Sequence, residues 1–307
     1  GQAITQTGGT LAATNTVAKA GAYLNLASEL NKLQNVTVDA QNGNVTIVNG
    51  NDAAGDLNVQ TVGAVGKNLT ITNVANGAEN IIKVDKNLKA KGSIQITNQE
   101  ADIDVAQGTS MSGASVTLTV TEDNVFVHGG EITATTGDVT FTAGKDVTVN
   151  AGAITAAENV AMQAASNVTM NNGTVKATNG DVSMTATDAT VTMNNGSIEA
   201  LAGNVVAQAA TNVTMNNGSI TTKKVDVIAA QLLVNDGTIN ATDVEANNAI
   251  ALAGGTVNVA KVVAGAAMTI SGATVNTGAG EGLVKAASIT MSKGQVHGSD
   301  LTVTASG

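Results

Sequence analysis

The chain contains no cysteine, proline, tryptophan or arginine, and one tyrosine and two phenylalanines are its only aromatics. Without cysteine there is neither a disulfide framework nor a thiol nucleophile, which fits a reducing cytosol or an exported protein that avoids thiols. Large globular cores draw on aromatics for volume, so their scarcity points to many thin cores rather than one thick one. No run of 18 apolar residues occurs and no charged n-region leads into an apolar stretch, which excludes a spanning helix and a recognisable signal peptide. The opening residue is Gly1, so the chain reads as a processed or excised piece. All 14 basic residues are lysine, against 24 acidic ones, for a net charge of -10. That balance argues against nucleic acid and against insertion into or adhesion to an anionic membrane.

What is present is a repeat. "NVTMNNGTVKA" (167–177) returns as "TVTMNNGSIEA" (190–200) and "NVTMNNGSITT" (212–222). Aligned on the turn position of Gly173, the pattern extends to Gly108, Gly130 and Gly152 upstream and to Gly196, Gly218, Gly237, Gly255, Ala273 and Gly294 downstream. Subtracting successive positions gives steps of 18 to 23 residues, the sign of a stacked-repeat architecture. Within each unit the apolar residues alternate, as in strands with one buried face. Val168 and Met170 flank Thr169 before the turn; "TVKA" (174–177) and "SIEA" (197–200) follow it; "DVSMTA" (181–186) closes the unit, with Val182, Met184 and Ala186 inward and Ser183 and Thr185 outward.

Three short strands cannot bury a core alone, but stacked units cover one another. The expected fold is all-β: a right-handed parallel β-helix (β-solenoid) of about 12–14 coils of 18–23 residues, its hand taken from the right-handed crossover rule. Residues 101–307 read as regular coils and 36–100 as coils with irregular turns, the two forming one continuous solenoid. Residues 1–35 read as an N-terminal segment or cap. Tyr23, Leu26, Ala27, Leu30 and Leu33 share a helical face there and predict a short helix over 22–33; the competing reading takes "AYLNL" as another strand.

In such a coil Asn171, Asn194 and Asn216 stack at one turn, and Asn172, Asn195 and Asn217 one position later. Asn accepts left-handed backbone angles, and its amide both donates and accepts, so the motif builds a hydrogen-bonded ladder. Calcium at these turns is the functional alternative, but hard cations want carboxylates and the turns are mostly Asn.

Catalytic constellations are sparse. The two histidines, His128 and His297, are far apart; His128 stands at a turn and His297 in the outward column of Lys176, Glu199 and Thr221. No G-x-S-x-G surrounds a serine. Asp138 and Asp181 share a turn column with Glu158 one position off, the best acidic candidate for glycoside chemistry, which needs paired carboxylates. Arginine and sugar-stacking aromatics are missing. An ice-binding face would need matched rows of Thr. Thr148, Thr169, Thr192 and Thr214 make one column, and no second one is read beside it.

At the level of "NVTMNNGTVKATNGDVSMTA" the chain resembles the repeat regions of bacterial exported β-helix proteins, namely filamentous-haemagglutinin-like two-partner secreted adhesins and autotransporter passengers. The resemblance covers roughly residues 36–307 and implies a secreted or cell-surface rod. The expectations are therefore a non-catalytic structural protein, most simply part of an adhesin, with no catalytic, cofactor-binding or metal-binding residues and no cofactor. Its partners would be a host or cell-surface ligand, or copies of itself joined end to end through open β-helix edges as a filament. A polysaccharide-degrading β-helix enzyme is the lower alternative.

Overall fold

A computed structural model describes residues 1–50, 55–74 and 80–306; parts of the irregular coils expected over 36–100 lie outside these. The chain is an all-β solenoid of about 14 turns. Among the described residues its strands form three parallel sheets, here sheets I, II and III, of 15, 14 and 11 strands; the first turns alternate between sheets I and II, and from Leu69–Asn73 onward each turn visits all three in that order. The turns fall into two compact units, residues 1–157 and 158–307.

In unit 1 the strands Val45–Asn49, Leu69–Asn73, Ile94–Asn98, Val116–Val120 and Val139–Ala143 stack in register in sheet I. Of their inward residues, Ile47, Leu69, Ile71, Ile94, Ile96 and Phe141 are among the bulkiest fully buried side chains of the described residues. Unit 2 repeats the scheme with Val160↔Val182↔Val205. Val182, Met184 and Ala186 are buried while Ser183 and Thr185 remain half-exposed, as period two requires.

Two expectations are corrected. Among the described residues there is no helix: Leu24–Ala27 is a sheet I strand and Lys32–Ala40 a sheet II strand. The apolar residues of 22–33 obey both periods, and strand pairing wins because Leu24 stacks on Val45 and donates its N–H to the Asn44 carbonyl at 2.9 Å. Leu24 and Leu26 then face inward, whereas Tyr23 and Leu30, assigned to the same helical face, are exposed. The second correction is a slip of one residue. Ser110 pairs with Glu131, so Thr109, not Gly108, stands beneath Gly130. Gly108 is glycine for its own reason, a φ of 76° that non-glycine residues rarely adopt.

Coil length changes at the corners. Between sheets III and I, four residues (201–204) connect Gly196–Ala200 to Val205–Ala209, but Lys223 alone connects Gly218–Thr222 to Lys224–Ile228. The sheets keep their register because the corner absorbs the deletion.

Val182→Asp tests the assignment of faces. It buries a carboxylate with no basic partner between stacked valines and is expected to cost about 3–5 kcal/mol. Thr185→Asp on the outward side of the same strand is expected to fall within about 0.5 kcal/mol of wild type. Equal losses in chemical denaturation would invert the assignment.

Candidate functional site

The polar side chains of the coils form columns, and each column is positioned by the register beneath it. In unit 2, Asn194 donates its amide to Asn171 Oδ1 at 2.8 Å, Asn216 to Asn194 at 2.6 Å, and Asn235 to Asn216 at 2.6 Å. The ladder expected at the repeated turn is therefore present and extends one coil further. The next position behaves differently. Asn172 and Asn195 adopt left-handed φ values of 54° and 55°, but in the third copy the left-handed residue is Gly218, at 112°. Asn217 instead caps the Gly218 N–H at 2.7 Å. This is the coil that leads into the one-residue corner at Lys223. A further ladder runs Asn240–Asn258–Asn276 on sheet III, each step 2.8 Å.

Other columns were not expected from the sequence. Asn49, Asn73 and Asn98 point inward in unit 1, fully buried at the ends of their sheet I strands. Asn49 donates to Asn73 Oδ1 at 3.3 Å and Asn73 to Asn98 Oδ1 at 3.1 Å, and Asn98 satisfies the carbonyls of Asn80 and Asp102. Period two was the available signal: Val45, Ile47, Asn49 places the Asn on the same face as its apolar neighbours.

The Asp or Asn that precedes so many valines also has a role. In unit 1, Asp102 Oδ1 accepts the Asn124 N–H at 3.0 Å and Asn124 Oδ1 accepts that of Asp146 at 3.1 Å. In unit 2, Asn159 accepts from Asp181 at 2.9 Å and Asp181 from Asn204 at 2.7 Å. These side chains satisfy the backbone donors at the corners, where the sheet ladders stop.

That geometry decides the acidic candidates. Asp181 spends its carboxylate on the Asn204 amide. Asn159, not Glu158, stacks beneath it, because Val160 pairs with Val182; Glu158 is exposed in unit 2. Asp138 occupies the corner before Val139 in unit 1. His128 Nδ1 lies 2.9 Å from Asp104 Oδ1, and its ring stacks on Phe126 with centroids 5.3 Å apart. His297 contacts Gln295 Oε1 at 2.9 Å in unit 2, beside Asn276 and in the column of Lys176, Glu199 and Thr221.

Charges cluster most closely on sheet I of unit 2. Lys224 Nζ and Lys261 Nζ hold Glu245 at 2.7 and 2.6 Å. The hydrogen bond from Lys224, then that from Lys261, holds the Glu245 carboxyl below its usual range, and the bond to Glu245 raises Lys224. Among the described residues no group of three His, Cys, Asp or Glu could hold a metal ion. The apolar cavity of about 20 Å³ bounded by Met184, Met193, Ala207 and Met215 is too small for a ligand beyond a single water.

No family model, curated protein or solved structure matches this chain.

Asn194→Ala removes one ladder donor and one acceptor and is expected to cost about 1 kcal/mol in denaturant melts. Asn172→Val forces a β-branched residue into left-handed backbone and is expected to cost about 1–2 kcal/mol, with Asn172→Gly close to neutral. For Glu245 the sign follows from its lowered pKa: its stabilisation is present above the unfolded value near ~4.3 and is lost as pH falls through the folded one. With side chains about one-third exposed, Glu245→Gln is expected to cost under ~1 kcal/mol at pH 7. The variant and wild type should become equally stable in acid, and a difference that persists there would refute the ion-pair account.

Proposed function

We propose that this chain is a non-catalytic structural segment of a secreted or cell-surface β-helix protein, most simply an adhesin. One observation carries the reading. The polar side chains that recur from coil to coil bond to their own counterparts in the next coil, as in Asn171–Asn194–Asn216–Asn235, rather than converging on a common point. A catalytic β-helix needs the reverse, carboxylates aimed together at a substrate. Of the carboxylates singled out for glycoside chemistry, Asp181 accepts a backbone N–H and Glu158 stands apart from its column, exposed. The resemblance of the repeat to exported adhesins supports placement outside the cell, with a host or surface ligand as partner.

A second reading has its own observation. Inward apolar side chains of the terminal coils stand uncovered: Ile4, which stacks on buried Leu24, is 36% exposed at one end, and Met291 and Val303 are 48% and 51% exposed at the other. Open parallel edges with apolar flanks favour a cover, either a further coil of a longer chain or a second copy stacked end to end. A heterologous contact of that kind propagates into a filament.

Incubation with a panel of acidic polysaccharides should release no new reducing ends or unsaturated products. Turnover abolished by Asp181→Ala would overturn the non-catalytic reading. Negative-stain microscopy across salt concentrations separates the two structural readings: filaments with an axial repeat of one subunit favour the polymer, and isolated particles under all conditions favour the adhesin segment.

A further inference from the structure

The outward face of sheet I in unit 1 differs from every other face of that unit. Five consecutive strands present two outward positions each. One column reads Thr46, Thr70, Gln95, Thr117, Thr140 and the other Val48, Thr72, Thr97, Thr119, Thr142. Eight of these ten positions are threonine, and none carries a charge or an aromatic ring. Two matched rows of Thr therefore exist, although the sequence pattern pointed to a single column on sheet II. That sheet II column runs Thr169, Thr192, Thr214 in unit 2 and is broken by Leu233.

Strand propensity favours Thr but does not account for the array. The same sheet in unit 2 places Ala161 and Gln163, Ser183 and Thr185, Val206 and Gln208, then Asp226 and Glu245, at the equivalent positions. Sheet II of unit 1 carries Lys83, Asp104, Phe126 and His128 outward. The array is also held unusually firmly from below. Beneath it lie six of the bulkiest fully buried side chains, and the buried Asn49–Asn73–Asn98 ladder belongs to three of the same five strands. Side-chain ladders hold a sheet against its natural twist, and a buried amide column resists a register slip, which would strand its polar groups.

We propose that this face binds ice. Alternate residues along a strand repeat every ~6.7 Å and neighbouring strands every ~4.8 Å, and both distances lie close to oxygen repeats of the ice lattice. Thr is restricted at χ1, so each hydroxyl and methyl takes one of few positions. The hydroxyls anchor a layer of lattice water while the methyls order the water between them. A neutral face suits an uncharged lattice, which rewards repeat distance rather than charge. This function is separate from the adhesin or filament reading and stands or falls independently of it.

The test uses the full chain. Wild-type protein should partition into a slowly grown ice hemisphere and inhibit ice recrystallisation. Thr97→Lys/Thr119→Lys, at the centre of the array, should be excluded from ice like an inert control protein. Thr133→Lys, on sheet III of the same unit, should partition as wild type does. Because both altered threonines point outward, the circular dichroism spectrum should be unchanged, while repulsion between the two stacked lysines lowers the melting midpoint slightly; Thr119→Tyr supplies a second, uncharged disruption if the lysine pair unfolds the coil. Exclusion of the wild type from ice, or equal incorporation of wild type and the array variants, overturns the proposal. So does exclusion from ice combined with binding to microcrystalline cellulose, which would assign the face to a hydroxyl-rich polysaccharide surface instead.

Discussion

The parallel backbone ladder between successive coils is the constraint on which everything else rests. Each strand bonds the strand one coil away, and in a parallel ladder those bonds are evenly spaced. Stacking therefore sets like residues over like: Val over Val, Met over Met, Asn over Asn, as in Val168–Asn171 over Val191–Asn194. A side chain's main neighbour is its own counterpart, so each position is selected for its tolerance of itself at about 4.8 Å. Val and Ile pass because branched side chains nest on a pleated face. Asn passes because an amide carries a donor and an acceptor and can bond to another amide without a second residue type.

Much of this was legible beforehand because the same logic writes the sequence. A repeat of 18 to 23 residues with inward Val, Ile and Met fixed the architecture, the facing of Val182 against Thr185, and the Asn171 ladder. The misreadings have physical causes. The segment 22–33 satisfies a helical period by coincidence, and the ladder to Val45–Asn49 is the stronger claim on it. At Gly108 the alignment followed a glycine, whereas the structure follows the strand that comes after it. The buried Asn49, Asn73 and Asn98 were passed over because Asn is ordinarily a surface residue. The two Thr rows of unit 1 were missed for another reason: they span coils whose connections vary in length, and sequence spacing hides a register that the sheets preserve.

Asparagine thus does two jobs at different depths. At the exposed turns a missing ladder bond can be replaced by water, so the column contributes modestly and tolerates the change of turn at Gly218. Inside unit 1 no water replaces it, and a broken step leaves an amide unsatisfied at greater cost. The buried column therefore acts less as a source of stability than as a lock on register. It ties together three neighbouring strands of sheet I, Val45–Asn49, Leu69–Asn73 and Ile94–Asn98.

Like-on-like stacking also explains what the chain avoids. A charge stacked on its own counterpart repels it, so charged columns must alternate in sign. Lys83 stands beside Asp104, Lys176 beside Glu199, and Asp243 between Lys224 and Lys261. Where Asp226 falls beside Glu245, Lys224 bridges the two carboxylates. Among the described residues Glu281 opposite Asp300 is a pair without such help, and both are exposed to screening solvent. Alternation is hard to sustain along a repeat derived from near-copies, and neutral Thr, Ser and Asn escape it. Proline meets a stricter version of the same rule. A strand with neighbours on both sides needs its N–H groups for the ladder, and nearly every strand here has two neighbours. The low charge content and the missing proline are two consequences of one stacking rule.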